Sequence, residues 1–325
     1  MSKADTTGSH RADALRPLRE KAGGTDQLTE LGARHLALLR PNGSTLLVEF
    51  EALAPVLRRD GRQPSDALHD EHGWSVLTLL SQGRTWFRDS AVFDFFDSLT
   101  DDGFFDEFDR VIFAGAGVRG YAAASFSVAA PGATVFLAGP YATLDPADAP
   151  WERRFRSDRA IPFGPRYGYA PDMIDAAERV YVVSDPTEGA DAMHASLFRG
   201  PHVTRLRAAH AGPRLGARLE AMGILAPLLR EAAAGTLTPL RFAELWRARH
   251  EDAVWLANVL RKLDMARRPW LQAVFAGGML DKTGDPVARR RLNDALARLD
   301  EAGIAPPAGR EPRPAAPGRM LLAGE

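Results

Sequence analysis

Residues 110–124 carry the clearest structural signal in the sequence. In the run Arg-Val-Ile-Phe-Ala (110–114), the last four residues are apolar and two of them are β-branched, as expected of a buried strand. The run leads directly into Gly115-Ala-Gly-Val-Arg-Gly120. An alanine-rich stretch follows from Tyr121 and predicts a helix. Glycine tolerates the backbone conformations of a tight turn that other residues avoid. The segment therefore predicts a strand that enters a helix through a sharp turn.

Strands and helices alternate on both sides of this turn. Further strands are predicted at residues 44–50, 75–80, 133–138, 179–183 and 203–207, and helices at 89–109 (with a break at 101–103), 121–130 and 191–198. Such alternation is typical of an α/β fold with a mostly parallel, doubly wound sheet and helices on both faces.

The pattern changes to helices alone after residue 215. Apolar residues at helical spacing predict helices at 215–234, 239–265 and 286–303. The predicted organisation is a disordered N-terminal segment (1–25), an α/β domain (26–235), a helical extension (236–303) packed on the sheet, and a flexible proline-rich tail (304–325).

Composition excludes several classes of function. Forty-one basic and 42 acidic residues leave a net charge of −1, which gives no support for a nucleic acid or an anionic membrane as partner. We find no apolar run of about 18 residues and no secretory signal, so we predict a cytoplasmic protein. The chain has no cysteine, which rules out disulfides, iron–sulfur clusters, thiolate zinc sites and cysteine nucleophiles. No cofactor and no metal site is predicted.

The glycine turn has two functional interpretations. In the first, Gly115-x-Gly117-x-x-Gly120 is a dinucleotide fingerprint, with the glycines admitting a pyrophosphate at the helix N-terminus. That fingerprint expects an acidic residue at the end of the next strand, but residues 133–138 are followed by Gly139-Pro140. Two predicted strands also precede the turn, whereas the fingerprint usually follows the first. NAD(P) binding remains an alternative.

In the second interpretation the segment resembles the nucleophile elbow of the α/β-hydrolase fold, G-x-S-x-G. Gly115 then matches the first glycine, Gly117 occupies the nucleophile position, and Arg119 replaces the second glycine. The resemblance implies an acid and a histidine after later strands. Asp185 follows strand 179–183 as the acid would, and the loop 208–214, which contains His210, follows strand 203–207.

The likeness extends over about residues 44–235. Segments 107–121, 166–173 and 191–203 are similar to a little-characterised bacterial group with this fold, in which a Met-Gly-His-Arg loop matches residues 211–214. Pro213 then stands at the histidine position. Chains of this group are sometimes called phosphoadenosine phosphosulfate reductases. That reductase family uses a cysteine and a Ser-Gly-Gly-x-Asp-Ser-like phosphate loop, and this chain has neither. Reductase chemistry is therefore not expected.

These substitutions predict a degenerate serine-hydrolase site. Gly117 offers no hydroxyl and Pro213 no base, so the resemblance implies a pseudoenzyme that acts by binding or scaffolding. The alternative is an active hydrolase, or an acyl- or glycan-modifying enzyme, with a rearranged site built from Asp185, His194 or His210. Arg119 and the helix N-terminus would hold a small anionic ligand, unless Arg119 pairs with a nearby aspartate and only closes the cavity. A protein partner, the ligand and the oligomeric state stay open.

Overall fold

The computed structural model describes Leu18, residues 26–164 and residues 166–309. Contacts divide the chain into two units, which meet in sequence between Ala248 and Arg249. The disordered segment predicted for residues 1–25 lies outside the described residues, apart from Leu18. Residues 310–325 of the predicted tail also lie outside them.

The first unit is built on one eight-stranded sheet. Its strands are β1 (Gln27–Leu31), β2 (His35–Arg40), β3 (Thr45–Ala52), β4 (Ser75–Ser81), β5 (Arg110–Ala116), β6 (Thr134–Ala138), β7 (Arg179–Ser184) and β8 (Val203–Arg207). They lie in the order β1-β2-β4-β3-β5-β6-β7-β8. Strand β2 pairs antiparallel with β1 and β4, and every other pair is parallel. The predicted mostly parallel, α/β-hydrolase-like sheet is confirmed.

Two strands of this sheet were not predicted. β1 is an edge strand whose side chains are largely exposed, so it lacks the hydrophobic pattern of a buried strand. It forms a hairpin with β2, and the turn between them contains Gly32 at φ 59°. Strand β2 is buried, but its apolar run is only four residues long, because the strand begins with His35 and ends with Arg40.

Nine helices accompany the strands in the described part of the first unit: α1 (Leu53–Arg58), α2 (Asp66–His72), α3 (Ser90–Asp101), α4 (Val118–Phe126), α5 (Ala170–Met173), α6 (Gly189–Leu197), α7 (Leu215–Ala221), α8 (Leu225–Ala233) and α9 (Pro239–Leu245). The predicted break after α3 is confirmed, with Gly103 at φ 70°.

Three predicted helices differ from the structure. The helix predicted at 121–130 begins three residues earlier, at Val118, because the glycine turn leads into it without a spacer. The helix predicted at 215–234 is divided into α7 and α8 by Gly223, whose φ of 68° ends α7. The helix predicted at 239–265 is interrupted by a 3₁₀ turn, Trp246–Glu251.

An aromatic core holds α3 and α4 against the middle of the sheet. Phe96 of α3 stacks on Phe126 of α4 with ring centroids 4.4 Å apart, and Phe50 of β3 packs on both rings. All three are fully or almost fully buried. Burying such rings stabilises the fold, and it holds the C-terminal end of α4 against the sheet.

Strands β3 and β5 lie side by side, but the chain leaves them in opposite directions along the sheet. β3 is followed by β4 on one side, and β5 is followed by β6 on the other. In open α/β sheets, the crevice at such a switch point is where ligands bind. The glycine turn after β5 lies at this point.

The second unit contains three helices, α10 (Ala253–Met265), α11 (Pro269–Thr283) and α12 (Pro286–Glu301). The predicted C-terminal helices are present. Helix α11 was not predicted, because its apolar residues do not form one stripe: Trp270 and Leu271 are exposed, whereas Ala273 and Ala276 are buried. No helix among the described residues is both long and apolar enough to cross a membrane.

Candidate functional site at the glycine turn

Gly117 occupies the bend between β5 and α4. Its φ of 58° and ψ of −123° lie in a region that residues with side chains enter only under strain. The amide of Gly117 donates to the carbonyl of Ala138, at 3.1 Å, and its carbonyl accepts from the amide of Tyr121, at 3.0 Å. This is the sharp strand-to-helix turn expected of a nucleophile elbow.

Space for a nucleophile remains above the turn. A Cβ atom placed on Gly117 would lie 3.6 Å from Cε2 of Tyr141, an ordinary van der Waals contact. The site has therefore kept room for a side chain at this position, and the residue there supplies only a hydrogen atom.

Close packing requires glycine at Gly115 and leaves little room for a side chain at Gly120. A Cβ on Gly115 would stand 2.3 Å from the carbonyl oxygen of Arg119, and one on Gly120 would stand 3.2 Å from that of Gly115. Both contacts are with backbone atoms, so no flexible side chain can move away to relieve them. The spacing Gly115-x-Gly117-x-x-Gly120 is thus explained by the elbow itself, with no need for a pyrophosphate.

Asp185 directly follows β7, as predicted for the acid, and is buried. Its carboxylate accepts from the amide of His210 (3.0 Å) and from the amide of Gly212 (2.8 Å), as well as from the amide and hydroxyl of Thr187. The structure thus joins Asp185 to the loop after β8, where the resemblance places the histidine. Because Asp185 accepts from backbone amides of this loop, these hydrogen bonds stabilise the loop's conformation.

His210 and Pro213 both lie in this loop. His210 is half-buried and has a left-handed backbone, with φ 66°. Pro213, where the sequence resemblance places a histidine, is exposed and has no titratable group. Neither Gly117 nor Pro213 has a side chain that can transfer a proton.

His194 on α6 is completely buried beneath Tyr141 and Trp151. Its Nδ1 accepts from the amide of Ala142 at 3.2 Å, so the proton is on Nε2, which donates to Glu152 at 3.1 Å. Burial lowers the pKa of His194, and the ring is neutral. Both ring nitrogens are thus occupied by contacts that hold the segment after β6 in place.

Arg154 connects the same cluster to Asp191. It donates to Glu152 and to Asp191, both at 2.6 Å. Burial alone would raise the pKa of Glu152, but hydrogen bonds from Arg154 hold it at about 2, so its carboxylate stays charged. The structure buries both Asp191 and the candidate His194 inside this network.

Arg119 points from the first turn of α4 to Glu51 at the end of β3, where the two form an ion pair. Of the two predicted roles of Arg119, the pairing with an acidic residue is the one observed, with a glutamate as the partner. The guanidinium remains partly exposed, with 37% of its side chain accessible.

A cleft of about 240 Å³ opens at this end of the sheet. Its walls come from the end of β3, the loop after β4 and the first turn of α4, and include Ala52, Thr85, Trp86, Val118 and Arg119. The first-turn amides of a helix have no partner within the helix, and they favour an anion or a developing negative charge. The cleft thus has a polar end at α4, with the partly exposed Val118 beside it, while Trp86 is fully buried behind the surface of the cleft.

The sequence analysis missed a contact between β2 and the loop after β4. His35 of β2 is buried, and its Nε2 lies 2.7 Å from Oγ1 of Thr85 in that loop. Its Nδ1 stands 3.9 Å from Asp89, beyond hydrogen-bond distance. Burial lowers the pKa of His35 to about 4, so the ring is neutral near pH 7. No sequence motif predicts this pair, because it depends on β2 lying next to β4.

The same loop is strained. Trp86 and Phe87 are consecutive, buried, and both left-handed, with φ of 56° and 55°. The Thr85 hydroxyl accepts from the amide of Phe87 at 3.2 Å, and the Trp86 indole donates to Asp158 at 2.9 Å. Strain of this kind persists only where surrounding contacts impose it, and it is concentrated at functional sites.

A second, smaller cavity of about 70 Å³ lies beside Gly115. Glu49 and Glu51 of β3 both line it. Glu49 is buried and accepts from the hydroxyls of Ser65 (2.5 Å) and Thr78 (3.0 Å). Burial, together with the charge of Glu51, raises the pKa of Glu49 to about 7. Among the described residues no cluster of three histidine or acidic side chains could hold a metal ion.

No family model matches this chain, and no curated protein does. Solved structures of similar architecture include the capsule O-acetyltransferase of Neisseria meningitidis serogroup A, at 11% identity over 62% of this chain and 93% of that chain, with a TM-score of 0.41. An esterase domain from Rhodothermus marinus is 16% identical over 62% of this chain and 95% of that chain, with a TM-score of 0.39. A fluorophosphonate-binding serine hydrolase of Staphylococcus aureus is 9% identical over 60% and 94%, with a TM-score of 0.40.

Proposed function

We propose that this chain is an α/β-hydrolase-like pseudoenzyme that binds a small anionic ligand at the elbow and does not form a covalent intermediate there. One observation carries the proposal: Gly117 has the backbone conformation of a nucleophile elbow, with room for a side chain, but has none. Without a hydroxyl or thiol at the bend, the acyl-enzyme route is closed.

The cleft supports the binding half of the proposal. First-turn amides of α4 offer donors to an anion, and the partly exposed Val118 supplies an apolar surface beside them. Arg119 can add a charge-assisted hydrogen bond from the same turn. Glu51 already neutralises part of its charge, so we expect a monoanion or a polarised carbonyl rather than a highly charged phosphate ester.

A binding assay and an esterase assay together test this proposal. Benzoate, which joins an aromatic ring to a carboxylate, should raise the melting temperature of the full chain, because it stabilises the state it binds. Val118→Trp fills the cleft and should abolish this shift, whereas Val118→Ile should preserve it. The full chain should not hydrolyse p-nitrophenyl acetate above the buffer rate. Turnover of the ester, or a benzoate shift unaffected by Val118→Trp, would refute the proposal.

The 2.7 Å contact between Thr85 and His35 favours a second candidate, an active hydrolase with a rearranged site. In that case Thr85 Oγ1 attacks the ester carbonyl and its proton passes to Nε2 of His35, which then protonates the leaving alcohol. Water afterwards releases the acyl group from Thr85. This candidate predicts turnover that Thr85→Val and His35→Gln both abolish, while Thr85→Ser retains it.

A dinucleotide-binding function receives no support from the turn. Backbone packing requires glycine at Gly115 and is tight at Gly120, and β6 is followed by Gly139-Pro140 without an acidic residue for the ribose. Reduction of a sulfonucleotide by that reductase family uses a cysteine, and the full sequence contains none.

A further inference from the structure

The second unit contains a pocket of its own, with a volume of about 270 Å³. It lies between α10 and α11, and we call it the helical pocket. Its lining is His250, Trp255, Leu256, Val274, Phe275, Gly278, Met279, Lys282 and Thr283. Trp255 is the floor: its ring meets Phe275 edge-on, with centroids 6.0 Å apart, and is itself 7% exposed. Ligand pockets are typically apolar and aromatic in this way, and this one is at the small end of their size range.

The charge of the lining favours a negatively charged ligand. Lys282 is the one residue of the lining that is charged at every physiological pH, and no aspartate or glutamate lines the helical pocket among the described residues. Lys282 also forms no hydrogen bond or ion pair within the described part of the chain. An ammonium group beside an apolar pocket without a counter-ion is complementary to a carboxylate.

Gly278 explains why the helical pocket is open. It lies inside α11, where glycine weakens a helix relative to alanine. Its φ is not in the left-handed region, and a Cβ atom placed on it would meet nothing within 4 Å. Neither backbone geometry nor packing therefore requires a glycine. What its missing side chain does provide is free volume between Trp255 and Lys282.

We propose that the helical pocket binds a small amphiphilic carboxylate, such as a medium-chain fatty acid. The aliphatic chain would pack on Trp255, Phe275 and Met279, and the carboxylate would accept a hydrogen bond from Lys282. This function goes beyond the proposed elbow site, and it uses none of the residues of that site.

Calorimetric titration of the full chain with decanoate tests the proposal, and decanol and decylammonium serve as matched probes. Decanoate should bind, and decanol should bind about tenfold more weakly, because a hydrogen bond to a charged group contributes about that factor. Decylammonium should not bind, because it carries the same charge as Lys282. Lys282→Gln should reduce decanoate affinity about tenfold and leave decanol affinity unchanged.

Two substitutions of one glycine separate pocket filling from helix stability. Gly278→Leu occupies the helical pocket and should abolish binding of decanoate and decanol, whereas Gly278→Ala places only a methyl group in open space and should retain decanoate binding. Both replace Gly278 of α11 with a better helix former, so circular dichroism should show both variants folded. Absence of decanoate binding to the unmodified chain, equal binding of decylammonium, or binding that survives Gly278→Leu would overturn the proposal. Val118→Trp, which blocks the elbow cleft, should have no effect on decanoate.

Discussion

Replacing Gly117 with alanine tests whether the bend has the conformation on which the account depends. At φ 58° and ψ −123° a residue with a Cβ is strained by about 1–3 kcal/mol. The new methyl group meets Tyr141 at 3.6 Å, an ordinary contact, so no steric clash adds to this cost. The stiffer unfolded chain offsets about 0.4–1 kcal/mol. The net expectation is a loss of about 1–2 kcal/mol in the free energy of unfolding.

Urea denaturation followed by circular dichroism measures this loss as a lower midpoint. Gly189→Ala is a matched control in the same unit, because Gly189 is not left-handed and a Cβ there meets nothing within 4 Å. That variant should be unchanged, or more stable by up to about 1 kcal/mol. If Gly117→Ala were as stable as Gly189→Ala, the elbow conformation would be wrong.

The remaining predictions concern the acid, the two buried titratable groups and the excluded chemistries. Asp185→Asn should cost about 2–3 kcal/mol of unfolding free energy in urea titrations, because one acceptor oxygen replaces a carboxylate that accepts from two amides of the loop after β8. The pKa of Glu49, about 7 in the folded chain against 4.5 for an unperturbed glutamate, makes the folded state hold a proton that the unfolded state releases. Stability is therefore lost as pH rises from about 4.5 to 7, by about 3 kcal/mol, and Glu49→Gln should remove this loss. His35, with a pKa of about 4, has the opposite slope, since its contribution is lost as pH falls from about 6.5 to 4. Stability of Glu49→Gln measured by urea titration should hence rise from pH 4 to 6.5, whereas the unmodified chain should show a flatter profile. Millimolar NAD(H) or NADP(H) should leave the melting temperature unchanged, and a thiol reductant should release no sulfite from phosphoadenosine phosphosulfate.

Sequence patterns predicted the parts of the fold that are set by local chemistry. Central parallel strands such as β5 and β6 are buried on both faces and form continuous apolar runs, which the sequence displays directly. The elbow was identified because glycines, unlike most residues, report a backbone conformation. β1 was missed because an exposed edge strand has no such pattern.

The site's side-chain partners could not be predicted in the same way. Arg119 meets Glu51, and His35 meets Thr85, only because the sheet order places β3 beside β5 and β2 beside β4. His194 appeared to be a titratable candidate on a helix face, and only the packing of Tyr141 and Glu152 around it reveals that both nitrogens are occupied. These contacts join residues far apart in the chain, so no motif or spacing records them.

Intact-mass spectrometry after exposure to a fluorophosphonate probe measures the central claim most directly. Such a probe forms a covalent adduct with an activated serine or threonine hydroxyl. The full chain, with glycine at the bend, should retain its unmodified mass after prolonged incubation, and an active serine hydrolase treated in parallel should be labelled completely. A stoichiometric adduct on this chain, located by peptide mapping to Thr85 or any other hydroxyl of the cleft, would contradict the account.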